Sequence, residues 1–251
     1  MELLLCSMLL VQAAWKFYDD FKGSSDSMPF HLAAEKGHSE ICKFIMEREE
    51  DKNPVNYDEE TPLHTAAQHG HLDVCQIIMD NVVNKNPEDN RGVTPLHLAA
   101  LHGHMDVCKF IMNNIMDKIP RDHNGCTPFS NAAKGGHNAI CKYILDNISV
   151  NSKDDDGQTE LHRAAWFGYL EVCKLLFDYV DEKNPAQNDG NTPLHFAARS
   201  GHENICKLII ANISIIDPKN LVGETPKDCA EARNYLHISK LFDVANSSKP
   251  T

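Results

Sequence analysis

Apolar and polar positions along this chain repeat one signature seven times. In the copy that begins at Thr94, Leu96, Ala99 and Ala100 recur at helical spacing and predict a short helix with one apolar side. Val107, Cys108, Phe110 and Ile111 predict a second helix from about Met105 to Asn113. Thr94 is a good N-cap, and Pro95 falls at the first helical position, where a missing N–H does no harm. Gly103 stands where a helix ends in the left-handed conformation. A polar segment then closes on a turn, Asp122-His123-Asn124-Gly125.

The copies begin at Met28, Thr61, Thr94, Thr127, Thr159, Thr192 and Thr225, in steps of 33, 33, 33, 32, 33 and 33 residues. The helix-ending slot holds Gly37, Gly70, Gly103, Gly136, Gly168 and Gly201, then Asn234, the next-best residue for that backbone. Neither helix is long enough to stand alone, so each unit must bury its apolar side on its neighbours. The pattern predicts an all-α repeat solenoid of about seven helix–turn–helix units.

The run Thr94-Pro95-Leu96-His97-Leu98-Ala99-Ala100, the Gly103-His104 pair and the Asp-Gly turns resemble the ankyrin repeat family. The resemblance spans about residues 28 to 245 and is specific because it recurs. Several positions depart from the family pattern: Met28 for the capping Thr, Ser130 and Asp228 for the His, Glu160 for the Pro, Tyr169 for the second His, and Glu59 for the turn Gly. The resemblance implies an ankyrin-type stack with β-hairpin finger loops, first helices along a concave side, and a protein partner bound there. It also implies that Asn53, Asn86 and Asn184 could be substrates of an asparaginyl hydroxylase.

The period places a repeat domain at 28–245, with repeats starting near 28, 61, 94, 127, 159, 192 and 225. Residues 246–251 are expected to be a disordered tail, and residues 1–27 a capping helix or truncated leading repeat. The apolar run from Met1 to Ala14 has Glu2 and no Lys or Arg before it, unlike a secretory leader, and is too short for a membrane span. If it is nevertheless a signal peptide, the protein is secreted.

The net charge of −12 argues against a binder of nucleic-acid backbone, which needs clustered Lys and Arg. Six of the nine cysteines occupy one repeated slot: Cys42, Cys75, Cys108, Cys141, Cys173 and Cys206, with Ser239 closing the series. Stacked helices lie about 8–10 Å apart, beyond the roughly 7 Å that a disulfide can bridge. These are read as buried thiols, and the odd total fits a reducing, cytoplasmic compartment. Histidine–cysteine pairs such as His104 and Cys108 repeat along the chain without converging, so no metal and no cofactor are expected. The histidines of the Thr-Pro-Leu-His runs recur with the scaffold, which points to a repeated backbone hydrogen bond. No nucleophile elbow or phosphate loop is present, and the chain is read as non-enzymatic.

Partner-facing positions are free to vary between copies. The two slots after Ala-Ala hold mixed residues except in repeat five, where Trp166 and Phe167 stand together. These two, with Arg163, Phe196 and Arg199 nearby and Leu101 further along, are the candidate anchor for a partner, since Trp and Arg are frequent hot spots. Trp166 could instead tuck into a gap beside Tyr169. The finger turns are acidic, Asp155 and Asp156 above all, which suits a partner with a basic surface. The lysines after the slot cysteines (Lys43, Lys109, Lys142, Lys174, Lys207, and Lys240 after Ser239) predict a basic ridge on the second helices. The reading is a monomeric scaffold or adaptor that binds a protein. The alternatives are a regulatory or targeting subunit of an enzyme complex and a fragment of a larger ankyrin-repeat protein.

Overall fold

The computed structural model describes residues 29–148 and 153–247. The segment 1–27, expected to be a cap, lies outside them, as do residues 248–251. The described residues form fourteen helices and no strand. By its contacts the chain divides into two compact units, Met1–Ile140 and Cys141–Thr251. The unbroken period predicts a single domain. Repeat arrays are held by nearest neighbours, so a period alone does not locate where an array divides.

The first unit contains α1 (Pro29–Glu35), α2 (Ser39–Arg48), α3 (Pro62–His69), α4 (Leu72–Asn81), α5 (Pro95–His102), α6 (Met105–Asn114) and α7 (Pro128–Lys134). The chain passes out of it within α8 (Asn138–Asn147). The second unit holds α9 (Glu160–Phe167), α10 (Leu170–Tyr179), α11 (Pro193–Ser200), α12 (Glu203–Ile210), α13 (Pro226–Ala232) and α14 (Leu236–Ser247). In each unit the first helices of successive repeats pack on one another, and the second helices form a layer behind them. Paired alanines such as Ala66-Ala67 and Ala197-Ala198 are fully buried between first helices, where small side chains allow close approach. The slot cysteines and their apolar neighbours, such as Val107, Ile111 and Met112, fill the space between the layers.

Local backbone chemistry follows the sequence closely. Thr61, Thr94, Thr127, Thr159, Thr192 and Thr225 are all extended N-caps. The helix-ending glycines all have positive φ, and Asn234 follows them at 60°. Helix α14 runs through Ser247, so Asn246 and Ser247 are helical where a disordered tail was expected. In the last repeat Ile238 and Phe242 of α14 are buried, while Asp228 and Glu231 of α13 are exposed.

The fingers are turns tied by side chains. Asp89 Oδ1 accepts the N–H groups of Arg91 and Val93, both at 2.8 Å, and Asp122 Oδ1 those of Asn124 and Cys126 at 2.9 and 2.8 Å. Asn56, Asp154 and Asn220 do the same in their own fingers. Neighbouring fingers are joined by single backbone bonds, Asn90 N–H to Asp58 O at 3.0 Å in the first unit and Leu221 N–H to Asp189 O at 2.9 Å in the second. The β-hairpin expected of these loops is thus reduced, among the described residues, to a closed turn with one bond to the next.

Candidate functional site

Two histidine ladders build the framework on which any binding surface sits. His64 Nδ1 accepts the Thr61 N–H at 3.0 Å and faces the Thr61 hydroxyl at 3.0 Å, while Nε2 lies 3.0 Å from Val93 O. A carbonyl only accepts, so the ring proton is on Nε2, and the Thr hydroxyl donates to Nδ1. His97 and His195 repeat this arrangement with Cys126 O and Glu224 O. Each ring therefore ties its own helix cap to the next repeat. The backbone role expected of these histidines is what they perform at these positions. His162 keeps the cap contact, but its Nε2 makes no hydrogen bond. Burial holds all of these imidazoles neutral, with His162 pushed down to about 4.

The departures reproduce half of the device. Ser130 Oγ accepts the Thr127 N–H at 2.8 Å, and Asp228 Oδ2 accepts that of Thr225 at 2.8 Å. Among the described residues Ser130, which has a following repeat, makes only the cap contacts.

The second ladder runs the other way. His71 Nε2 bonds to Glu35 O, His104 to Gln68 O, His137 to Leu101 O and His202 to Trp166 O, at 2.9–3.1 Å. Each ring reaches back to the preceding first helix and satisfies a carbonyl of its last turn. The Gly-His recurrence carried this signal, but nothing in it indicates the direction or the acceptor.

In the second unit the residues expected to form an anchor are partly assembled. Trp166 is 43% exposed, and its ring meets Phe196 edge-on, 5.5 Å between centroids and 82° between planes. Phe196 also meets His162 edge-on at 5.8 Å. Phe167 stacks on Tyr169 at 5.8 Å, so the residue beside Tyr169 is Phe167 and Trp166 remains at the surface. The two arginines are engaged within the unit. Arg163 pairs with Asp154 with little of its side chain exposed, and Arg199 Nη2 lies 3.2 Å from both Glu224 Oε2 and Cys229 Sγ. Leu101 belongs to the first unit, where it is half-buried.

The acidic edge expected of the fingers is smaller than its residues suggest. Asp89 is buried, 2.8 Å from the Arg91 guanidinium, and Asp122 and Asp154 spend an oxygen on backbone N–H groups. Asp155 and Asp156 are exposed. The lysine ridge is similarly tempered, since Lys43, Lys174 and Lys207 each pair with a glutamate one turn earlier. Asn86 and Asn184 turn their amide oxygens onto the Leu96 and Leu194 N–H groups at 3.3 and 3.0 Å. The first unit also contains a cleft of about 490 Å³ bordered by Val83, Asn86, Asn114 and Met116, which the sequence did not signal.

Among the described cysteines, Cys42, Cys75, Cys108, Cys173, Cys206 and Cys229 are free thiols. Among the described residues no group of three or more His, Cys, Asp or Glu side chains gathers as a metal site, and no helix is long and apolar enough to cross a membrane.

Paired helices with Thr-Pro caps, left-handed glycine breaks and two histidine ladders define a helix-pair repeat protein. Family models agree: one for ankyrin repeats in three copies matches residues 30–122 and 113–189, and one for a single ankyrin repeat matches 189–220. The chain belongs to the ankyrin repeat family. Comparison with curated proteins gave no match. Ankyrin repeats are in general protein–protein interaction modules, and proteins built from them are typically non-enzymatic scaffolds.

Proposed function

We propose that this protein is a non-enzymatic adaptor that binds a protein partner through the first-helix surface around Trp166 and Phe196. The observation that carries the reading is the exposure of Trp166, a large aromatic held edge-on against Phe196. A tryptophan fixed in this way presents apolar area with little rotamer entropy left to lose on binding. Beside it Phe167 stacks on Tyr169, while Arg163 and Arg199 tie their own helices to finger residues Asp154 and Glu224. Exposed Asp155 and Asp156 suit a partner that brings basic residues to the finger side.

The test is capture from a native lysate with the wild-type protein and a Trp166→Ala variant of equal helicity. A protein retained by wild type and lost by the variant supports the reading and identifies the partner. Equal retention by both would overturn the aromatic anchor.

A further inference from the structure

The second helices end on carbonyls that the fold treats in two ways. Lys52, Lys85, Lys118 and Lys183 occupy one repeat slot, just past the second helix. In repeats one and five this lysine folds back onto the helix end. Lys52 Nζ donates to Met46 O of α2, and Lys183 Nζ to Phe177 O and Val180 O at the end of α10. Such carbonyls lack helical donors and carry the negative end of the helix dipole, and an ammonium answers both demands.

Repeats two and three leave the same place open. Among the described residues Lys85 and Lys118 do not bond to the equivalent carbonyls, Met79 O and Val82 O or Met112 O and Ile115 O. Helix α6 is the more open of the two. The Val82 N–H closes α4 onto Ile78 O at 3.1 Å, whereas Ile115 makes no such bond at the end of α6. The cleft of about 490 Å³ lies at this end, bordered by Val83, Lys85 and Glu88 after α4 and by Ile115, Met116 and Asp117 after α6.

We propose that this cleft binds a lysine side chain of a partner polypeptide, its ammonium on the open end of α6 and an apolar neighbour of that lysine on Val83 and Met116. The cleft lies in the first unit and is independent of the anchor around Trp166.

Charge selects the occupant. Glu88 and Asp117 are exposed carboxylates at the cleft, against the single ammonium of Lys85. Asp117 spends Oδ1 on the Ile119 N–H at 2.9 Å, which leaves Oδ2 for a ligand. With the end of α6 added, the lining is net negative and disfavours an anion. The two occupied copies show the fitting group to be an ammonium, whose three donors reach separate carbonyls as Lys183 does. The rim selects a polypeptide. Val83 and Met116 share one repeat slot and are fully exposed, so they offer apolar area that a bare ammonium does not use.

The probe is a leucine–lysine–leucine peptide, acetylated and amidated at its ends, titrated into the whole ¹⁵N-labelled protein. Amide shifts at residues 83–88 and 114–118 are the readout. The expected result is saturable shifts there, with affinity about threefold or more weaker in Glu88→Gln/Asp117→Asn and tighter in Lys85→Ala. The same peptide acetylated on its lysine Nζ should not bind. Butylammonium alone should bind about tenfold or more weakly, for want of the leucines. Absence of saturable shifts at these residues, equal binding of the lysine-acetylated peptide, or unchanged affinity in both variants would overturn the proposal. Butylammonium binding as tightly as the peptide would overturn the polypeptide as occupant.

Discussion

The His71 ring occupies the space that a side chain on Gly37 would need. A Cβ at Gly37 would come within 2.6 Å of His71 Nδ1, and the same ring is anchored by its bond to Glu35 O at 2.9 Å. Gly103 stands in the same relation to His137, and Gly168 to His202. One glycine thus serves two purposes: it ends its helix at φ 69° and makes room for the histidine of the following repeat.

Gly37→Ala should therefore cost more than a left-handed alanine alone, whose conformational penalty is about 1–2 kcal/mol. Urea unfolding checks this in a double-mutant cycle with His71→Ala. If crowding contributes, the cost of the alanine is smaller in the His71→Ala background than in wild type. Equal costs in both backgrounds would show that only φ matters.

The glycine positions were legible in the sequence because positive φ is a local demand, met by Gly and once by Asn234. The cap histidines were legible because a scaffold role recurs with the scaffold. The backward ladder was not, since its acceptors are the carbonyls of Glu35, Gln68, Leu101 and Trp166, and a carbonyl leaves no trace in residue type. Acidic residues in the fingers suggest surface charge, but Asn56 and Asn220 in the same slot share only hydrogen bonding with Asp89 and Asp122. That substitution pattern points to the Asx bonds and away from an acidic edge. Arg163 and Arg199 looked available because Asp154 and Glu224, which engage them, are brought in by packing that no spacing rule specifies.

Stability should fall with pH through the imidazole range. Burial depresses His64, His97, His162 and His195, so the unfolded chain binds protons that the folded chain refuses. This stabilisation is complete above the ordinary imidazole pKa of 6.5 and is lost as pH falls from there, toward about 4 for His162. That displacement corresponds to about 3 kcal/mol from His162 alone. The urea midpoint should therefore drop steadily from about pH 7 to about pH 4.5, less steeply in His162→Gln. A flat profile over that range would show that these rings are protonated in the native state.

Thiol reactivity should sort by slot. Burial pushes Cys42, Cys75, Cys108, Cys173 and Cys206 up to about 12, whereas Cys126 is half-buried outside the slot series. Since the thiolate is the nucleophile, maleimide at neutral pH should modify Cys126 well before these five. Peptide mapping of the adducts over time is the measurement. Labelling of Cys108 as fast as that of Cys126 would mean that the helix layers separate in the native protein.

The finger of repeat two contains the clearest correctable strain. Glu59 has φ 62° where the other fingers carry Gly92, Gly125, Gly157, Gly190 and Gly223, all at positive φ. Its side chain is exposed, and its N–H closes the turn onto Asn56 O at 3.0 Å, a bond that glycine would keep. Glycine would remove the left-handed penalty of about 1–2 kcal/mol. Against that, its freedom in the unfolded chain takes back about 0.5–1 kcal/mol. The balance favours Glu59→Gly by about 0.5–1 kcal/mol, which shifts the urea midpoint upward without changing the slope. Glu59→Asn should recover part of the gain, because Asn tolerates the left-handed region better than other side chains. Glu59→Ala, which relieves neither the φ demand nor any contact, should recover none. A stabilisation by alanine equal to that by glycine would trace the effect to the lost carboxylate beside Asp58 and Glu60 and not to the backbone.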